Sequence, residues 1–148
     1  MTILPRTGRL LAIDWGELRI GLALSDESQT LASPLETLTR RRGKRFPMAR
    51  FLELVTQHQP VGIVVGLPLS PEGGESESST AARELAELVA SRTSLPVELS
   101  DERLTTARTL KLIREQSGST RGRKEDIDAM AASVLLQGCL DARKGGVT

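Results

Sequence analysis

Three acidic side chains stand where a carboxylate needs a reason to be. Asp14 lies inside the apolar run LLAIDW, at the front of the chain. Aspartate is depleted in strands, and a buried carboxylate is costly unless it is paired, hydrogen-bonded or bound to a metal. Either the backbone of the turn at Gly16 satisfies it locally, or a cation does. Asp128 heads a helical stripe made of Asp128, Ala132, Leu135 and Cys139, whose spacing puts them on one apolar face. It is either an acid favoured by the positive end of a helix or one carried toward a sheet. Glu102 follows a short strand and precedes a helix. Its neighbour Asp101 has the shorter side chain and suits the N-cap better. Glu102 is then a solvated turn residue, or it sits where α/β proteins collect ligands, outside the carboxyl ends of the strands. Asp26, after the second apolar run, reads as a turn residue.

Were these three to converge, their mutual repulsion would demand cations. Oxygen-only ligation suits Mg²⁺ or Mn²⁺. Two such ions roughly 4 Å apart can activate a water and stabilise the leaving oxygen of a phosphodiester. The charge pattern fits a polyanion held locally. The chain carries 20 Lys and Arg against 19 Asp and Glu, a net charge of +1, so bulk charge does not announce nucleic acid. Residues 40–50 (RRRGKRFPMAR) nevertheless hold six basic residues and no acid. Arg121, Arg123 and Lys124 add a second basic cluster. These segments are either solvated loops or a grip on a phosphate backbone. Aromatic residues make up 2%, with no tyrosine, which argues against a base-stacking platform.

Other chemistries lack parts. The one histidine, His58, sits two residues before Pro60 at a predicted helix end, so His-based triads and zinc sites have too few residues. The lone cysteine, Cys139, reads as core and cannot form an internal disulfide; a reducing cytoplasm is the default setting. There is no GxxxxGK and no GxGxxG segment. No apolar stretch is long enough to span a membrane, and the first residues have no secretory pattern.

The elements that must position the acids follow from periodicity. The 148 residues, 39% of them apolar with 13 further glycines, make one ordinary globular domain over 1–148, not a disordered or collagen-like chain. Strands are expected at 9–15 and 19–26, joined by a hairpin-length connection, and at about 33–38. Pro34 places the third near an edge. A helix is expected at about 46–58. VGIVVG (61–66) reads as a fully buried, parallel-type strand. A loop over 67–76 precedes a helix at 77–92 and a short strand at 96–100. A helix at 105–116, a polar loop at 117–124 and a final helix at about 125–142 complete the order. Three strands followed by alternating helices and strands imply a mixed sheet with helices on its faces.

The motifs resemble those of the YqgF/RuvX family, related to RuvC-type Holliday junction resolvases. LAIDWGELRIGLALSD (11–26) is similar to its opening motif, VVGLPLSPEGGES (64–76) to its second, DERLTT (101–106) to its third and KEDIDAMAASVLLQGCLD (124–141) to its closing helix. They stand in the family's order and cover nearly the whole chain. The resemblance implies a ribonuclease H-like α/β fold. Its five-stranded mixed sheet would have an antiparallel three-strand start, a central first strand and helices on both faces. It implies Asp14, Glu102 and Asp128 as the catalytic, metal-binding triad. Arg19 and Arg103 match family arginines near the site, as phosphate contacts or structural ion pairs. Trp15 departs from the usual tyrosine.

The reading that follows is a metal-dependent nuclease with two Mg²⁺ or Mn²⁺ ions, acting on the 5′ end of pre-16S ribosomal RNA. Branched DNA is the rival substrate, and a symmetric junction would favour a homodimer. A non-catalytic nucleic-acid-binding module is the reading from another class. A nucleotide-dependent phosphotransferase is a third, from the Asp14-Trp15-Gly16 turn, but such enzymes need two such domains.

Overall fold

The computed structural model describes residues 4–16, 18–40, 46–68, 74, 76–101 and 123–145. Its elements run β1 (Leu10–Asp14), β2 (Arg19–Ser25), β3 (Ala32–Thr39), α1 (Met48–His58), β4 (Gly62–Leu67), α2 (Glu77–Thr93), β5 (Val97–Asp101) and α3 (Arg123–Gly145). The helix expected at 105–116 and most of the polar loop at 117–124 lie outside the described residues. Residues 123 and 124 belong to α3, so that helix starts earlier than its apolar pattern announces. Polar first-turn residues carry no hydrophobic signal by which to place a helix start.

The five strands form one sheet in the order β3-β2-β1-β4-β5. β1 pairs antiparallel with β2 and parallel with β4, and β5 lies parallel to β4. The first strand is therefore central. Burial explains the sequence of β4: GIVVGL has helices over both faces and every residue is buried, so it needs no polar alternation. β3 is an edge, as Pro34 requires, since proline cannot donate to a ladder. Opposite Leu22 and Ala23, β3 places Glu36 and Pro34 and leaves Leu35 as the extra residue of a bulge.

Side-chain alternation splits the core into two layers. Leu11 and Ile13 of β1, Ile20 and Leu22 of β2, and Ile63 and Val65 of β4 pack with Phe51 and Leu54 of α1 and Leu85 and Val89 of α2. The other parity, Leu10, Ala12, Ala23 and Val64, packs against Ala132, Leu136 and Leu140 of α3. The sheet-facing row of α3 is thus an i, i+4 series, whereas Leu135 joins Ala131 and Val134 in a separate small cluster. Cys139 is only partly buried at the edge of that layer.

Local signals place the ends of these elements. Ser76 caps α2, accepting from the Ser79 amide while the Ser79 hydroxyl accepts from the Ser76 amide. Gln59 closes α1 in the left-handed region and His58 is its last residue. Asp26 organises the β2–β3 turn: it accepts from the amides of Thr30 (2.7 Å) and Leu31 (3.1 Å) and from the Ser28 hydroxyl. Among the described residues no helix is long and apolar enough to cross a membrane.

Two outcomes follow. Leu136 is fully buried between α3 and the sheet, so Leu136→Ala should cost about 2–5 kcal/mol in urea unfolding. The amides of Thr30 and Leu31 hold the Asp26 carboxyl below its ordinary value of 3.8. A lowered pKa stabilises the fold above the unfolded value and stops doing so as pH falls through the folded value. The stability gap between the wild type and Asp26→Asn should therefore be full at neutral pH and close on acidification below about pH 4, read from urea midpoints.

Candidate active site

Strand parity and one glycine place two of the three expected acids on one face of the sheet. Asp14 is the last residue of β1 and has the parity of Leu10 and Ala12, so it points to the α3 face. Its cross-strand partner in β2 is Gly21. Antiparallel partners lie roughly 5 Å apart at Cα, and Gly21 shares the face of Ala23. A Cβ built on Gly21 would stand 2.0 Å from the backbone carbonyl oxygen of Asp128. The second turn of α3 thus rests directly on Gly21, beside Asp14. Both carboxylate residues are buried, Asp14 at 2% exposure and Asp128 at 4%.

This geometry bears on the reading of Asp128. α3 begins at Arg123, so Asp128 lies past the first turn, and the favourable effect of a helix N-terminus on an acid fades within that turn. Glu125 and Asp126 occupy the first-turn positions instead. Asp128 leads the row that continues through Ala132, Leu136 and Leu140 into the sheet. Two buried carboxylates on one face form an oxygen-only donor set, which suits a hard divalent cation.

Of the other expected residues, Arg19 opens β2 with the parity of Gly21, on the same face. Its Nε is buried and makes no hydrogen bond among the described residues. Glu102, Arg103 and Arg121 lie outside the described residues. Arg123 and Lys124 contribute backbone to the start of α3, and their side chains lie outside the described set. Among the described residues no three His, Cys, Asp or Glu side chains form a metal-holding group. Asp26 sits in its turn and Asp101 ends β5.

The parallel strands β1, β4 and β5 all end at this side of the sheet, and Gly66 pairs with Ser100. A cleft of about 410 Å³ runs between β5 and α3, lined by Val64, Glu98, Ser100, Leu135 and Cys139 among others. There the Cys139 thiol donates to the Ser100 hydroxyl at 3.3 Å. Burial pushes that thiol up, which leaves it protonated and unreactive.

Gly21 is the site residue that sequence reasoning missed. A glycine inside an apolar strand signals a close backbone approach, and RIGLALS carries one at an inward position. Which backbone approaches it is a tertiary fact.

The profile of the RuvX family, described as Holliday junction resolvase, matches residues 8–142. A relative from Anaeromyxobacter sp. (strain Fw109-5), named as a pre-16S rRNA nuclease, is 42% identical over 91% of this chain and 98% of its own. One from Nocardia farcinica (strain IFM 10152), with the same name, is 41% identical over 94% of this chain and 81% of its own. Among solved structures, Thermus thermophilus RuvC in complex with a Holliday junction substrate superposes with a TM-score of 0.56. The identity there is 17%, over 93% of this chain and 96% of that one, which establishes a shared ribonuclease H-like fold. With that fold, a buried acid pair on its central strand and closing helix, and a family match over nearly its whole length, this chain belongs to the RuvX family.

Proposed function

We propose that this protein is a divalent-metal-dependent nuclease that trims the 5′ end of pre-16S ribosomal RNA. The observation that carries the proposal is the seating of Asp128 on Gly21 beside Asp14, two buried carboxylates from opposite ends of the chain on one face. Relatives of about 40% identity bear names for action on that RNA. Asp14 and Asp128 would hold Mg²⁺ or Mn²⁺, with Glu102, which follows β5 directly, as the third ligand. When bound, such ions supply a water activated at neutral pH and charge to stabilise the leaving oxygen. The chain's own part is to fix the carboxylates in place. The strand end fixes Asp14, and the helix seat fixes Asp128. Arg19, on the same face, would bind a phosphate oxygen, with Arg103, Arg121, Arg123 and Lys124 extending the contact.

A second substrate reading has its own support, since the family's description is Holliday junction resolvase. Branched DNA would meet the same acids, and a twofold dimer would suit its symmetry.

Three measurements test this. Calorimetry should show Mn²⁺ binding by the wild type and none by Asp14→Asn; an absence of binding heat in the wild type would point to a non-catalytic binding module. With Mn²⁺, labelled pre-16S RNA should be cut near its 5′ end and four-way junctions should not. Asp14→Asn should slow cutting by at least the roughly 100-fold that loss of an outer-shell partner alone can cost. Undiminished cutting by that variant would sink the site assignment. Gly21→Ala should cost about 1–3 kcal/mol and weaken Mn²⁺ binding, because α3 cannot keep its seat. A Gly21→Ala protein that melts and binds Mn²⁺ like the wild type would show that Asp128 does not depend on that seat.

A further inference from the structure

At the end of the sheet where β1 hands over to β2, the side chain after Asp14 carries a cation. The guanidinium carbon of Arg40 lies 4.5 Å from the ring centroid of Trp15. Arg40 immediately follows β3, and its amide donates to the Leu18 carbonyl oxygen at 2.9 Å, which ties it to the β1–β2 connection. Trp15 packs against the core layer on the α1 and α2 side, and both residues keep partial exposure. Arg19 pairs with Thr39, so the stack sits at the same end of the sheet as Asp14. β3 and β1 are two strand spacings apart, about 10 Å. Arg40 also opens the run RRRGKR, the densest positive charge in the sequence.

We propose that Arg40, laid over Trp15, grips a backbone phosphate of the RNA strand that enters the Asp14–Asp128 site. The proposal rests on the nucleolytic reading for what lies beyond the grip, but the grip itself is a binding claim. The Nε of Arg40 is buried, so its terminal N–H groups are the donors a phosphate would meet. Stacking also fixes a long side chain before the substrate arrives, so less conformational entropy is lost on binding. Asp14 points to the α3 face and the stack lies toward the other, so a strand crossing this end of the sheet passes both. Trp15 contributes as a platform for a cation, which asks only for an aromatic face.

The experiment uses a built-in probe. Trp15 is the one tryptophan and the chain has no tyrosine, so its emission reports this spot alone. A short single-stranded RNA is titrated into the full chain in EDTA at several salt concentrations. The wild type should show a saturable change in emission. Arg40→Ala should bind about tenfold more weakly at low salt, and the slope of log K against log salt should flatten by about 0.7, one single-strand phosphate. Arg40→Lys should restore most of the slope and only part of the affinity. A DNA strand of the same sequence should show the same Arg40 dependence, since phosphate is common to both. Arg40→Ala that melts like the wild type and binds RNA with unchanged affinity and slope would overturn the proposal. Arg40-dependent binding without any cutting in Mn²⁺ would uphold the grip while removing the nuclease reading, so the two fail separately.

Discussion

The seat of α3 on Gly21 governs the rest of the site. Helix–sheet packing ordinarily keeps backbones apart by the thickness of the side chains between them. Here one position of β2 has no side chain, and the carbonyl oxygen of Asp128 occupies the space a Cβ would fill. The second turn of the helix, which carries Asp128, is thereby brought against Gly21, the cross-strand partner of Asp14. The hydrogen-bonded ladder between β1 and β2 then holds Gly21 and Asp14 in fixed register. The seat of Asp128 is thus as firmly placed relative to Asp14 as the hairpin beneath them.

Two features keep α3 from sliding off that seat. Its row Ala132, Leu136 and Leu140 fills the layer over Leu10, Ala12, Ala23 and Val64. At its far end Arg143 donates to the carbonyl oxygen of Pro5 at 2.8 Å and to the Gln29 side-chain oxygen at 3.3 Å. Gln29 is itself buried and donates to the carbonyls of Pro5 and Gly8. The start of the chain, the β2–β3 turn and the end of α3 are tied together at the side of the sheet away from the acids. A buried polar group satisfied on all sides resists displacement, because any shift strands a donor or acceptor. The helix is therefore fixed at both ends, by packing on Gly21 and by hydrogen bonds at Arg143.

Charge is arranged to match. The buried acids lie on the α3 face, whereas the Trp15–Arg40 stack lies toward the α1 face at the same end of the sheet. On the α1 side, Arg50 and Glu36 form a bidentate pair at 2.7 and 2.8 Å, which secures α1 to the edge strand carrying Arg40. That pair is partly exposed and contributes little stability by itself. Its effect is positional, since β3 leads directly into the basic run.

Much of this was legible in the chain. The parallel character of β4 could be read from VGIVVG, the edge position of β3 from Pro34, and the turn role of Asp26 from its place after an apolar run. Asp14 and Asp128 stood out because a carboxylate among apolar residues needs a partner, and that cost is a property of the residue and its neighbours in sequence. The start of α3 at Arg123 was not legible, because a polar first turn looks like the loop before it. Nor did the stripe Asp128, Ala132, Leu135, Cys139 name the row that meets the sheet: at 3.6 residues per turn, Leu135 and Leu136 both qualify, and it is Leu136 that packs on Leu10, Ala12, Ala23 and Val64. Residue types and their periods thus determined which side chains were expensive and which elements carried them. Only the tertiary structure decided that the backbone of Asp128 is seated on Gly21, the cross-strand partner of Asp14, and that Arg40 lies over Trp15. Both depend on contacts between segments distant in the chain, and local pattern does not encode which distant backbone will fill a given gap.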